Sequence, residues 1–95
     1  MLALLFCAPV TAQVGMPARD TITHTMRIAT DFMFDTLANE GGFVWFYRAD
    51  DLTPYGELKA RESMIWVEPP GTPSVGLALL EAHKATGDSY YLKRA

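Results

Sequence analysis

The chain has 95 residues, 49% of them hydrophobic and 12% aromatic, with a formal net charge of -3. That apolar and aromatic content excludes a disordered tail, and 8 basic against 11 acidic side chains leave no cationic excess to neutralise a phosphate backbone, so no nucleic-acid partner is expected. The single cysteine excludes an internal disulfide framework and a Cys-rich zinc site, and the length allows one small domain at most.

Met1 to Ala12 reads MLALLFCAPVTA, with a continuous apolar run from Leu2 to Ala8 and no charge before Arg19. The run is far shorter than the roughly 20 apolar residues of a membrane span. It fits the apolar core of a secretory signal with a small-residue exit at Val10-Thr11-Ala12, although the usual positively charged start is missing. Residues 1–12 are therefore expected to be a signal peptide cleaved after Ala12, and the protein to be secreted or periplasmic. The competing assignment is a buried N-terminal strand. Phe6 stands where a lipoprotein signal wants a small residue, so Cys7 is an ordinary member of the apolar run. Its removal leaves a cysteine-free protein, suited to an oxidising compartment.

Residues 13–18 form a linker. From Arg19 to Asn39, Ile22, Met26, Ala29, Met33 and Leu37 recur at helical spacing, thickened by Phe32, with Arg27, Asp31 and Asp35 opposite. Asp20 or Thr21 is the expected cap, and Asn39 with Gly41-Gly42 the expected stop. The aromatic run Phe43 to Tyr47 prefers β structure, Arg48 to Pro54 is turn-like, and Met64 to Val67 is a second short apolar run, closed by Pro69-Pro70-Gly71. One or two short strands, as a ribbon or an ordered loop, are expected here. Strand alternation would put Phe43, Trp45 and Tyr47 on one face and Val44 and Phe46 on the other, both apolar.

Thr72 to Thr86 returns to helix, with Val75, Leu79, Ala82 and His83 or Ala85 on one stripe and Pro73 in the first turn. Gly87 suits a helix C-terminus and Asp88 the N-cap of a following helix that begins Ser89-Tyr90-Tyr91-Leu92. That last helix has buried-type residues and no terminator before Ala95, so the chain is expected to be the first part of a larger core.

The junction Ala82-His83-Lys84-Ala85-Thr86-Gly87-Asp88-Ser89-Tyr90-Tyr91 resembles the helix-hairpin junctions of (α/α) toroid enzymes active on polysaccharides. The segments Gly41-Gly42-Phe43-Val44-Trp45 and Met64 to Pro73 (MIWVEPPGTP), in this order and spacing, are similar to the N-terminal region of bacterial secreted pectate lyases of polysaccharide lyase family 10. Asp50 to Glu57 resembles, with slight changes, that family's Asp-Leu-x-x-x-x-Gly-Glu passage, and the likeness spans roughly Ile22 to Ala95. It implies a mainly α fold, the N-terminal portion of an (α/α) toroid with a short aromatic β-ribbon or loop between helices. It also implies β-elimination on pectin or polygalacturonate. In that chemistry calcium acidifies the proton beside the uronate carboxylate, an arginine is the base, and acidic residues hold the metal. These catalytic motifs lie downstream in the family and none occurs in the present 95 residues, so the chain itself is expected to be inactive.

Candidate substrate-binding residues are Trp45, Glu57 and Trp66. Each tryptophan offers a face for a sugar ring, against the alternative of core packing; Glu57 beside Gly56 is singled out through the resemblance alone. Asp50, Asp51, Glu57, Glu62 and Glu68 supply oxygen ligands of the type calcium takes, but their spacing is not that of an EF-hand, and solvated loop charge is the simpler reading. His24 and His83 lack a second ligand at helical spacing, so zinc is unsupported, and His83 reads as packed or hydrogen-bonded. There is neither a phosphate-binding glycine loop nor a serine nucleophile elbow. Two alternatives remain: a non-catalytic helical-repeat binding protein of the cell envelope, for carbohydrate or protein, and another (α/α) toroid enzyme acting on uronides, such as an unsaturated-uronyl hydrolase or a sugar epimerase.

Overall fold

The computed structural model describes residues 15–95. The proposed signal segment 1–12, with Cys7 and the cleavage point after Ala12, lies outside the described residues, as does the start of the linker. The described chain is mainly helical. It runs through α1 (Arg19–Phe32), a single wide π-turn (Met33–Leu37), strands β1 (Phe46–Tyr47) and β2 (Pro54–Tyr55), then α2 (Thr72–Thr86) and α3 (Ser89–Arg94).

The cap of helix α1 falls two residues before Asp20 and three before Thr21, the expected positions. Ala18 holds the N-cap position without a side-chain hydrogen bond, and Asp20 lies in the first turn, where its charge favours the positive end of the helix. The apolar stripe is only partly covered: Met26, Met33 and Leu37 are half-buried, whereas Ile22 and Phe32 are 40% and 48% exposed. The buried residue of α1 is Thr30, whose hydroxyl donates to the Met26 carbonyl at 2.8 Å. In the π-turn the Ala38 N–H reaches the Met33 carbonyl at 2.9 Å, and Phe34 meets Phe43 edge to face at 5.2 Å between ring centres. The helical segment thus stops at Leu37, two residues before the expected Asn39. Asn39 and Gly42 then exchange both backbone hydrogen bonds at 2.9 Å around Glu40 (φ 48°) and Gly41 (φ 83°). Positive φ at both central residues is the signature of a type I′ reversal, which Gly41 enters without steric cost.

The ribbon is shorter than the aromatic run that predicts it. Phe46 pairs with Tyr55 and Tyr47 with Pro54, antiparallel. The partner strand is thus Pro54–Tyr55 and not the apolar run Met64 to Val67, whose Met64, Ile65 and Val67 are exposed. The reason lies in the loop: Arg48, Asp50, Asp51 and Thr53 hydrogen-bond among themselves and close a tight reversal directly after Tyr47. The aromatic run is covered unevenly. Phe43 and Val44 are core residues, Trp45 and Tyr47 are half-buried, and Phe46 is 53% exposed.

The last two helices follow the sequence closely. Helix α2 has Pro73 in its first turn and ends at Gly87 with φ 71°, the left-handed conformation that glycine supplies. Asp88 caps α3 by accepting the Tyr90 N–H at 2.9 Å, and His83 Nδ1 lies 3.0 Å from the Asp88 carbonyl. The apolar core gathers Phe43, Val44, Ala60, Leu79 and Tyr91, from the loop region and both later helices. No helix among the described residues is long and apolar enough to cross a membrane.

Candidate functional site

Two separated segments meet at the centre of the loop region. The Trp66 N–H donates to the Phe43 carbonyl at 2.8 Å, and the Thr72 N–H donates to the Trp66 carbonyl at 2.9 Å. The Thr72 hydroxyl accepts the Phe43 N–H at 2.9 Å and lies 3.1 Å from the Phe43 carbonyl, to which it can donate. Glycines make the close approach possible. A Cβ on Gly42 would stand 2.5 Å from Ile65, one on Gly71 would stand 2.7 Å from the Trp66 carbonyl, and one on Gly56 would fall inside the Trp66 indole. Real Cβ atoms do not approach that closely, so each glycine is required by what lies against it.

Two of the three expected binding residues, Trp45 and Trp66, come together around this point. Trp45 and Trp66 are both half-buried, with ring centres 6.1 Å apart and planes tilted by 58°. Glu57 follows Gly56 in the turn after β2; its side chain is exposed and makes no ion pair among the described residues. Trp66 gives one face to Gly56. The Trp45 indole N–H is buried with no hydrogen-bond partner among the described residues. Both tryptophans therefore spend much of their surface on packing.

The more enclosed of the larger cavities lies elsewhere. About 370 Å³ opens between the π-turn and the β1–β2 loop, against Thr36, Leu37, Asn39, Tyr47, Asp51 and Glu62, without Trp45, Glu57 or Trp66. A second, more open groove of about 390 Å³ runs between α1 and α2 over Met26, Ala29, Met33, Val75, Ala78 and Leu79. The first was not indicated by sequence pattern, because it is lined by residues from distant segments, whereas the second lies between the two apolar helical stripes that the sequence shows.

The acids divide into paired and unpaired groups. Asp50 is held below the ordinary carboxylate range chiefly by its hydrogen bond from Arg48. Asp51 is lowered chiefly by the Thr53 hydroxyl and then by the Thr53 N–H. Arg48 is correspondingly raised, first by Asp50 and then by the Asp51 charge. These carboxylates brace a loop. Glu62 and Glu68 are exposed, and among the described residues no group of three or more His, Cys, Asp or Glu side chains is placed to hold a metal ion. The described residues thus do not fit a calcium centre, and no step of metal chemistry is derived from them.

Sequence reasoning missed a polar and aromatic cluster between α1 and α3. Arg27 and Asp31 reach α3 while remaining partly exposed. Arg27 pairs with Asp88 at 2.9 Å and lies 3.6 Å from the centre of the Tyr90 ring. The Tyr90 hydroxyl donates to Asp31, whose carboxylate is also 3.7 Å from Arg94. Burial, then the bond to Asp31, pushes the Tyr90 hydroxyl up from its ordinary value. The sequence signal was present as spacing, since Arg27 and Asp31 lie one helical turn apart, but the partner face is visible only in three dimensions.

Comparison with protein-family models, curated proteins and solved structures returned no match.

Proposed function

We propose that this chain is the N-terminal portion of a secreted pectate lyase that cleaves polygalacturonate by calcium-assisted β-elimination, and that the 95 residues alone are not catalytic. The observation that carries the reading is the mutual packing of the two segments most similar to that enzyme family. Phe43 of Gly41 to Trp45 is hydrogen-bonded to both Trp66 and Thr72 of Met64 to Pro73. Gly42 also lies under Ile65 of the second segment. The motifs thus act as one structural unit, which gives their joint occurrence a physical reason.

The helices add support for a larger helical domain. Ile28, Phe32, Leu77, Leu80 and Leu92 are between 39% and 64% exposed on three helices, apolar surface of the kind that neighbouring hairpins cover in a toroid. In this reading Trp45, Trp66 and Glu57 belong to the substrate side of the loop region, and the catalytic arginine and calcium ligands are supplied by downstream sequence.

The test is an assay on polygalacturonate of the product of the extended reading frame, with and without a calcium chelator, beside the 95-residue chain. The expected outcome is unsaturated product from the longer protein, abolished by chelation, and none from the chain alone. Absence of unsaturated product from the longer protein overturns the reading. The capped Thr86-Gly87-Asp88 junction favours, as a second reading, a non-catalytic helical-repeat binding protein, which the same assay separates by its lack of activity.

A further inference from the structure

The outer face of the ribbon carries an arrangement distinct from the Trp45–Trp66 pair. Phe46 and Tyr55 are cross-strand partners, and their rings stack at 5.0 Å with planes 1° apart. Partners directly opposite share a face of the sheet. Tyr55 in turn pairs with Lys59, antiparallel, across the turn that contains Glu57. The bonds from the Gly56 N–H to the Leu58 carbonyl and from the Ala60 N–H to the Pro54 carbonyl, both 2.9 Å, flank that pair. Tyr55 and Lys59 are therefore a narrow pair, the kind whose side chains stand closest. Phe46, Tyr55 and Lys59 thus form one row across three adjacent backbone segments.

The row has one open ring and one open cation. Phe46 is 53% exposed although Tyr55 covers one of its faces. Lys59 is exposed and makes no ion pair among the described residues, whereas nearby Arg48 is committed to Asp50 and Asp51. Tyr55 lies between the two, so the open face of Phe46 is the one turned away from Lys59; an exposed ring and an unpaired ammonium at the two ends of one row are complementary to an acidic sugar chain that spans it. The C–H face of the sugar stacks on the ring and the carboxylate meets the cation. Two strand spacings, on the order of 10 Å, separate the ends of the row, about the length of two sugar rings.

We propose that Phe46, Tyr55 and Lys59 form a surface subsite for an acidic polysaccharide, seating one pyranose on Phe46 and the carboxylate of a neighbouring uronate at Lys59. The polymer's identity as polygalacturonate rests on the function proposed above; the row itself does not.

The test is titration of the full chain with tri-galacturonate and with its fully methyl-esterified counterpart, followed by amide chemical shifts. Acid-selective binding with shifts at Phe46, Tyr55 and Lys59 is expected. Phe46→Leu, which keeps apolar volume and removes the ring, is expected to weaken binding about three- to tenfold. Lys59→Met is expected to weaken it about two- to fivefold and to erase the preference for the free acid. Because Lys59 is exposed, that second variant keeps the test open if Phe46→Leu does not fold. No binding of tri-galacturonate, or binding unchanged by both variants, overturns the subsite. The lyase assay reports separately on the proposed function: activity in the longer protein with no effect of either variant leaves the lyase standing without this subsite. Acid-selective binding without lyase activity leaves the subsite standing without the lyase.

Discussion

Trp66 lies with its indole against the Cα of Gly56, so closely that a Cβ there would overlap the ring. A loop residue after β2 and a residue just before α2 are thereby locked together. Gly56→Ala has to displace Trp66 or bend the turn. Overpacking of this kind costs about 1–3 kcal/mol. The expected result is a lower urea midpoint together with a changed tryptophan emission, and unaltered stability of Gly56→Ala would show that the contact is loose.

Thr72 should matter through its hydroxyl. It accepts the N–H of the buried residue Phe43 and lies within hydrogen-bond distance of its carbonyl. Thr72→Val retains shape and leaves that N–H without an acceptor, a loss of about 1–3 kcal/mol. Thr72→Ser keeps the oxygen and should recover most of it. Chemical unfolding of the two variants side by side measures the difference.

The Tyr90–Asp31 bond links α3 to α1. Tyr90→Phe removes the donor, and because both groups are partly solvent-exposed and Asp31 retains Arg94 nearby, the expected loss is about 0.5–1.5 kcal/mol. The hydroxyl is raised from its ordinary value by burial and by Asp31. A raised folded value stabilises the fold below the ordinary tyrosine range, and that contribution is lost as pH rises through the folded value. Tyrosinate absorbance against pH should therefore show a late-titrating component that disappears in Tyr90→Phe.

Asp88 works in the opposite pH direction. The Tyr90 N–H, then Arg27, holds its carboxyl below the ordinary carboxylate range. A lowered folded value means that its contribution is complete above the unfolded value, about 3.9, and is lost as pH falls through the folded one. Asp88→Asn should therefore be less stable than the parent chain at neutral pH in chemical unfolding, with the difference shrinking as pH falls through the folded value. A carboxyl resonance that titrates at the ordinary aspartate value would contradict the capping role.

The helices were legible because their signals are local. Pro73, Gly87 and Asp88 mark ends by backbone rules that hold without knowledge of neighbours, and α2 spans the expected Thr72–Thr86. The ribbon was half legible: β propensity pointed to Phe43 to Tyr47, but the paired residues are Phe46–Tyr47 with Pro54–Tyr55, selected by the Arg48–Asp50–Asp51–Thr53 loop. Of the candidate site, Trp45, Glu57 and Trp66 were picked from type and resemblance; the fold brings the two indoles to 6.1 Å and leaves the Glu57 side chain exposed. Nothing local indicated that Phe46 would be the open aromatic, since its neighbours Val44 and Trp45 are equally apolar by composition.

The amino-acid sequence by itself determined the helical stretches, the helix stop ahead of Gly41-Gly42, the cap at Asp88 and the small net charge, because each depends on residues close together in the chain. Tertiary structure alone decided which apolar groups are covered and which polar groups meet. Phe43 is buried while Phe46 is open, Arg27 and Asp31 face α3, and Lys59 joins the row of Phe46 and Tyr55. These outcomes depend on backbone segments far apart in sequence, where register and close glycine contacts, not residue preference, set the neighbours.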